Sequence, residues 1–349
     1  MKRILLLSLL LVSNFGFGQE PVIEWQKSLG GSEDDYVRLI EQTADEGYII
    51  VGMSTSTDGD VTGNNGFWDY WVVKLDASGS ITWEKSLGGS TFDHGHSIQQ
   101  TADGGYIVVG DSKSNDGNVT VNNDFNKIWI IKLDASGNIM WQSSFGGWSD
   151  DHGYSVQQTA NGGFIIAGDS ESNEDDVSGN NGGRDCWIVR LDATGNIIWK
   201  KSLGGSGYDY ATSIQQMTDA GYIVAGNSES LNGDVTGNNG AIDYWIVKLD
   251  ATGNTMWQKS LGGSGDDSAI SIQQTTEGGY VVAGNSDSNN GDITGNNGEF
   301  KMIDAQGREV LTGKMNGIEH TINISNLTKG VYSVVFDDSV LPVLSVIKE

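Results

Sequence analysis

Five tryptophans, Trp25, Trp83, Trp141, Trp199 and Trp257, follow one another at intervals of 58 residues, and the text between them recurs nearly verbatim. Self-similarity at a fixed period marks a repeat architecture, in which each unit covers its apolar faces only by packing on its neighbours. One unit reads Trp83-Glu-Lys-Ser-Leu-Gly-Gly-Ser, then Ser97-Ile-Gln-Gln-Thr-Ala-Asp-Gly-Gly-Tyr-Ile-Val-Val-Gly110, an Asn/Asp/Gly loop, and Ile128-Trp-Ile-Ile-Lys-Leu-Asp-Ala-Ser-Gly-Asn138. Four strand candidates separated by turns fill it, and nothing reads as a long helix.

Tyr106 to Val109 and Ile128 to Leu133 are largely unbroken apolar runs, which suits strands covered on both faces. Trp83 to Leu87 alternates, so one of its faces is expected to meet water. Two central strands buried on both sides with a half-exposed edge strand match a propeller blade, a four-stranded sheet sandwiched between neighbouring blades. The fold expected is all-β, a β-propeller of about five four-stranded blades followed by a short β segment; a β-solenoid of two or three coils per unit is the competing architecture.

Domain organisation follows from where the repeat text starts and stops. Residues 1–18 read as a signal peptide: Lys2 and Arg3, the apolar run Ile4 to Val12, and small residues at Gly16 and Gly18, with cleavage expected after Gly18. That run is about half of the ~20 residues a bilayer-spanning helix needs. Residues 19–298 hold the repeats, and residues 299–349 form a separate C-terminal segment, of which 299–311 could also complete the last blade.

Composition narrows the partners. With 20 basic against 46 acidic residues the formal charge is −26, a surface that repels nucleic acid and anionic membranes and attracts counter-cations. Cys186 is the single cysteine and cannot form an internal disulfide; Tyr70, Ile128 and Tyr244 stand at its position in other copies, so it reads as a packed apolar site. Fifty glycines with two prolines, at no three-residue period, exclude collagen and imply many tight turns.

Three resemblances refine this picture. Lys132-Leu-Asp-Ala-Ser-Gly-Asn-x-x-Trp141, repeated at Lys248 to Trp257, resembles the tryptophan-docking motif of pyrroloquinoline-quinone propellers, one residue shorter in the turn. The resemblance implies that the Trp packs between blades; the quinone does not carry over, since Cys186 lacks the partner of a vicinal disulfide, and no organic cofactor is expected. Residues 25 to about 298 also look like a group of exported bacterial repeat proteins, some described as endoglucanase-like. The C-terminal segment, with Gly307-Arg-Glu-Val310, Ile322 to Leu327 and Lys329-Gly-Val-Tyr-Ser-Val334, resembles a shortened sorting domain of the type IX secretion system, which implies that machinery as a partner and a secreted or outer-surface location. Such domains usually open on a strand with Asn-Pro, which this chain lacks.

Several motifs are candidates for chemistry. Asp58-Gly-Asp60-Val-Thr62-Gly63-Asn-Asn-Gly-Phe-Trp-Asp69 has the spacing of a twelve-residue calcium loop, with oxygen side chains at positions 1, 3 and 5, glycine at 6 and a carboxylate at 12. The third copy supplies Glu174, Asp176, Ser178 and Asp185, and the fourth Asn232, Asp234, Thr236 and Asp243; Val121 and Lys127 break the pattern in the second, and Lys301 ends the fifth. Ca²⁺ is the candidate cofactor, with an Asx-rich turn bonding its own backbone as the plainer reading. Asp35, Asp93, Asp151, Asp209 and Asp267 hold one register in every copy and read as structural, since paired catalytic acids are needed once per protein. His94, His96 and His152 have no counterparts in the later copies and read as surface decoration. Nine of eleven tryptophans hold repeat registers; only Trp68 and Trp148 lie in loops, as candidate ligand contacts.

The function expected is a secreted or cell-surface binding or adhesion scaffold, more a non-enzyme than an enzyme, with no catalytic residue assigned and a polysaccharide or protein as the extracellular ligand. The rival is a polysaccharide-active glycoside hydrolase, which would need two non-repeated carboxylates facing a cleft.

Overall fold

The computed structural model describes residues 23–120, 125–275, 278–288 and 290–292, together with the backbone of strands at 299–303, 309–314, 330–335 and 344–348. The signal peptide and Ile322 to Leu327 lie outside the described residues.

The repeat period becomes a sheet period. Strands β1 (Asp35–Gln42), β2 (Tyr48–Ser54), β3 (Asp69–Leu75) and β4 (Ile81–Leu87) form one antiparallel sheet in sequence order. The second sheet holds β5 (Asp93–Gln100), β6 (Tyr106–Ser112), β7 (Lys127–Leu133) and β8 (Ile139–Phe145). The third holds β9 (Asp151–Gln158), β10 (Phe164–Ser170), β11 (Asp185–Leu191) and β12 (Ile197–Leu203), and the fourth β13 (Asp209–Gln216), β14 (Tyr222–Ser228), β15 (Asp243–Leu249) and β16 (Thr255–Leu261). The second and third strands of the first four sheets are buried almost throughout and the fourth strand is mixed, as the apolar runs and the alternation predict.

The core lies between sheets. Ile49, Val51, Tyr70 and Val72 of the first sheet cluster with Ile98, Val108, Trp129 and Ile131 of the second, and the later junctions repeat this. A tryptophan locks each junction from the fourth strand: the Trp83 ring meets Tyr106 edge-on at 5.7 Å, and its Nε1 donates to the Ala135 carbonyl in the next sheet's last turn. There Asp134 Oδ1 accepts the N–H groups of Ser136 and Asn138, and Gly137 takes φ 78°, a left-handed position that favours glycine. The Trp-docking implied by the motif is therefore realised here. Cys186 is buried among apolar neighbours, and burial pushes its thiol well up.

Two features depart from a closed ring of five equal blades. Successive sheets pack on one another, but the first sheet has no sheet before it: β1 is mostly exposed where β5 is mostly covered, so the blades form an open row among the described residues. The fifth sheet keeps two strands, β17 (Asp267–Gln274) and β18 (Tyr280–Ser286). The described parts of residues 299–311 do not finish it. β19 (Glu299–Ile303) pairs with β20 (Glu309–Lys314) and β21 (Gly330–Val335), and β22 (Leu344–Lys348) completes this separate sheet in the order β20-β19-β21-β22. The physical reason is in the sequence: the third strand of the fourth sheet reads Asp243-Tyr-Trp-Ile-Val-Lys-Leu249, whereas β19 reads Glu299-Phe-Lys-Met-Ile303, without the run that two covered faces demand. Ahead of β1, Trp25 packs on Tyr48 at 5.6 Å, and with Leu29 it covers part of the first sheet.

Candidate functional site

The first strand of each of the five repeat sheets carries a β-bulge, at Arg38, His96, Tyr154, Thr212 and Ile270. Opposite it stands a glycine; a Cβ at Gly110 would fall on the carbonyl of His94. A bulge re-aims side chains, and here it turns His94 and His96 towards one carboxylate. His94 Nδ1 lies 3.2 Å and His96 Nε2 2.9 Å from the two oxygens of Asp111, which is almost fully buried. In the next sheet His152 Nδ1 lies 3.0 Å from Asp169, which also faces Arg184 at 3.5 Å, and Arg184 reaches Glu171 at 2.5 Å.

Electrostatics follow from this burial. Burial works to raise the Asp111 carboxyl, but the hydrogen bonds from His94 and His96 outweigh it and hold the group well below the usual carboxylate range. For His152, burial works to lower the pKa, and the Asp169 hydrogen bond with the Asp111 and Asp169 charges lifts it above the ordinary value. Tyr154 is held protonated, first by burial and then by the charges of Asp169 and Asp111.

These side chains belong to a continuous row of rings. Phe67 and Phe92 stack at 5.3 Å, Phe92 stands 6.1 Å from His94, His94 6.4 Å from His96, His96 5.2 Å from Tyr154, and Tyr154 lies parallel to His152 at 6.0 Å. Trp68 joins beside it, 5.3 Å from Tyr36 and bridged through its backbone to Phe92. The row crosses three sheets, and its members stand where the copies differ: His94 and His152 share a register with Tyr36, Tyr210 and Ser268. The histidines are thus built into a buried network rather than decorating the surface. Their partners were missed in the sequence, although the signal is there, since only the two copies with His at this register carry Asp111 and Asp169, while Met53, Asn227 and Asn285 stand in the others.

Of the two loop tryptophans, Trp68 joins this row, and Trp148 is 57 % exposed, with its backbone N–H on Glu174. The twelve-residue loops do not gather their oxygens at one point. In the first copy Asp58 Oδ1 accepts the Ser32 N–H, Asp60 Oδ2 the Gly30 N–H, and Thr62 bonds Glu84. In the third, Glu174 caps Trp148, Asp176 faces Lys200 at 3.9 Å, Gly179 takes φ 86° and exposed Ser178 stands before it. In the fourth, Asn232 accepts from Ser206, Asp234 from Gly204, and Thr236 bonds Gln258. The position-12 carboxylates Asp69, Asp185 and Asp243 are buried instead, each accepting an N–H from Asn65, Asn181 or Asn239. Burial pushes Asp69 up to about 7 against that hydrogen bond, and the charges of Asp93 and Asp116 add to the rise. Among the described residues no group of three or more His, Cys, Asp or Glu side chains is arranged to hold a metal ion.

Residues 290–343 match the secretion system C-terminal sorting domain. The regulatory protein FlaEY of Caulobacter vibrioides is 24 % identical over 205 residues, 52 % of this chain, which spans 21 % of that relative's length. Solved structures similar to the chain include BamB from Moraxella catarrhalis, at 16 % identity with 89 % of this chain and 85 % of that one covered (TM-score 0.39). A protein of unknown function from Bacteroides caccae (11 %, 81 % and 92 %, TM-score 0.39) and the Pan2 WD40 domain of Neurospora crassa (12 %, 71 % and 72 %, TM-score 0.38) are others. The chain is a row of antiparallel repeat sheets, the first four of them four-stranded, carrying a sorting tail that addresses it for type IX export, to the cell surface or the medium.

Proposed function

We propose that the exported protein is a binding scaffold whose ligand face is the row from Phe67 to His152, and that its ligand is a neutral polysaccharide. The observation that carries this reading is the row itself: rings at registers where the copies vary, laid across three sheets of a repeated frame, with Phe67 63 % exposed. Aromatic faces offer large, stiff apolar area with few rotamers to order, and the buried Asp111 and Asp169 lock the imidazoles in place, which lowers the entropy lost on binding. A chain of charge −26 disfavours anionic polymers at long range. The test is titration of the secreted protein with soluble neutral glucans, alongside Phe92→Ala and His94→Ala. Binding by the wild type and a tenfold or greater loss in both variants is the expected outcome. Equal affinity in all three would remove the row as the ligand face, and turnover of the glucan would replace a scaffold with a hydrolase.

A further inference from the structure

At every junction between sheets the residue that opens the third strand of one sheet meets the aspartate that opens the first strand of the next. At three junctions both are aspartates, all fully buried: Asp69 with Asp93, Asp185 with Asp209, and Asp243 with Asp267. Their oxygens flank one glycine. The spot a Cβ on Gly88 would take is 2.5 Å from Asp69 Oδ1 and 2.6 Å from Asp93 Oδ2, and Gly204 stands between Asp185 Oδ1 and Asp209 Oδ2 at 2.6 and 2.7 Å. A Cβ there would collide with both carboxylates, so only glycine lets the two approach it from either side.

The two members of a pair differ in how they are satisfied. Asp93 accepts from the Gly89 N–H and from the hydroxyls of Ser112 and Ser114, an arrangement suited to a charged carboxylate. Asp69 Oδ1, Asp185 Oδ1 and Asp243 Oδ1 are buried with no hydrogen-bond partner among the described residues, and at the Asp185 junction Asp209 Oδ1 is unpartnered as well, its Oδ2 accepting from Gly205 and Ser230. An unpaired buried acceptor on an ionisable group is destabilising unless something neutralises it, and here the same unmet acceptor recurs at three junctions.

The remaining junction supplies its own cation. Lys127 replaces the aspartate at that register, and its ammonium donates to the carbonyl of Gly146, the counterpart of Gly88, at 3.2 Å, where its charge acts on Asp151. Where the chain drops one carboxylate it inserts one positive charge. From this exchange we propose that each aspartate pair, Asp69 with Asp93, Asp185 with Asp209 and Asp243 with Asp267, holds one divalent cation of the calcium class between neighbouring sheets. The ligands are oxygens only, which selects a hard cation; Ca²⁺ tolerates irregular sets completed by carbonyls and water, whereas Mg²⁺ demands a near-octahedral shell. A divalent ion balances two carboxylates as the single Lys127 charge balances Asp151.

The test uses the secreted chain stripped with chelator and titrated calorimetrically with CaCl₂ at pH 7.5, with melting temperature read in parallel. Three equivalents of Ca²⁺ and a rise in melting temperature are expected. Asp243→Asn, beside the two-stranded last sheet, should bind two, and Lys127→Asp, which rebuilds the pair at the remaining junction, should bind four. Glu174→Gln, in the loop but outside the pairs, should still bind three. No heat and no melting shift at millimolar Ca²⁺, or a Lys127→Asp variant that binds no more than wild type, would overturn the proposal. So would neutralisation of the pairs by protons alone, seen as a pH-dependent melting temperature indifferent to Ca²⁺.

Discussion

Strands β1 and β5 occupy the same place in consecutive copies, yet β5 is largely covered and β1 largely open. Ile40 is 53 % exposed and its counterpart Ile98 is 1 % exposed. The two share a residue type, a register and a bulge; what differs is that β5 has a sheet in front of it. Burial in this fold is therefore a property of the junction rather than of the strand, as a quasi-one-dimensional stack requires. Polar residues follow the same rule. His94 and His96 lie over the buried Asp111 at a junction, whereas Tyr36 and Arg38 at the open end face Met53 in that register.

The sharpest test of that contrast is a pair of truncations. Ile98→Ala removes apolar volume from a cluster built by two sheets, and such a change in a packed core costs about 2–5 kcal/mol. Ile40→Ala, the same chemistry 58 residues earlier, should stay within about 0.5 kcal/mol, the usual range for exposed sites. Urea denaturation of both variants measures the gap. Equal losses would mean that the open end is covered in solution and that the contrast between the strands is false.

A smaller effect is expected from the polar network. His96→Leu removes one of the two imidazoles that hold Asp111, leaving part of a buried carboxylate unsatisfied, and hydrogen bonds to charged groups are worth about 1.5–3 kcal/mol. Arg38→Leu, the matching change in β1, should cost little. Denaturation midpoints at pH 7 compare the two, and a His96→Leu protein as stable as wild type would show that the imidazole does not support Asp111.

Much of this was legible before any coordinates, and the boundary is physical. Four strands per copy and the doubly covered central pair follow from apolar runs and turn residues, which are local signals that the period repeats, whereas the Trp83-type lock follows from the resemblance of its motif to the tryptophan-docking repeats. The open end was not legible, because Ile40 and Ile98 look identical until a neighbour is placed against only one of them. The site is half legible: Trp68 stands out in the sequence as unrepeated, but His94 and Asp111 are 17 residues apart and meet through a bulge, which no side-chain period announces. Asp69 and Asp93 carry separate signals in the sequence, a loop ligand and a structural carboxylate, because their meeting depends on how two sheets stack.

The weakest expected effect concerns pH. His152 has its pKa raised in the folded chain by the Asp169 hydrogen bond and by the charges of Asp111 and Asp169, against burial and the opposing charge of Arg184. A histidine raised in this way adds stability that is complete below its unfolded value of about 6.5 and is lost as pH climbs through the folded value. Wild type should therefore lose stability relative to His152→Asn as pH climbs above about 6.5, read as the difference in urea midpoints so that other titrating groups cancel. Tyr36→Asn, the same register at the open end, should show no such slope against wild type. If it did, the titration would belong to the strand position itself and not to the junction that surrounds His152 with buried carboxylates.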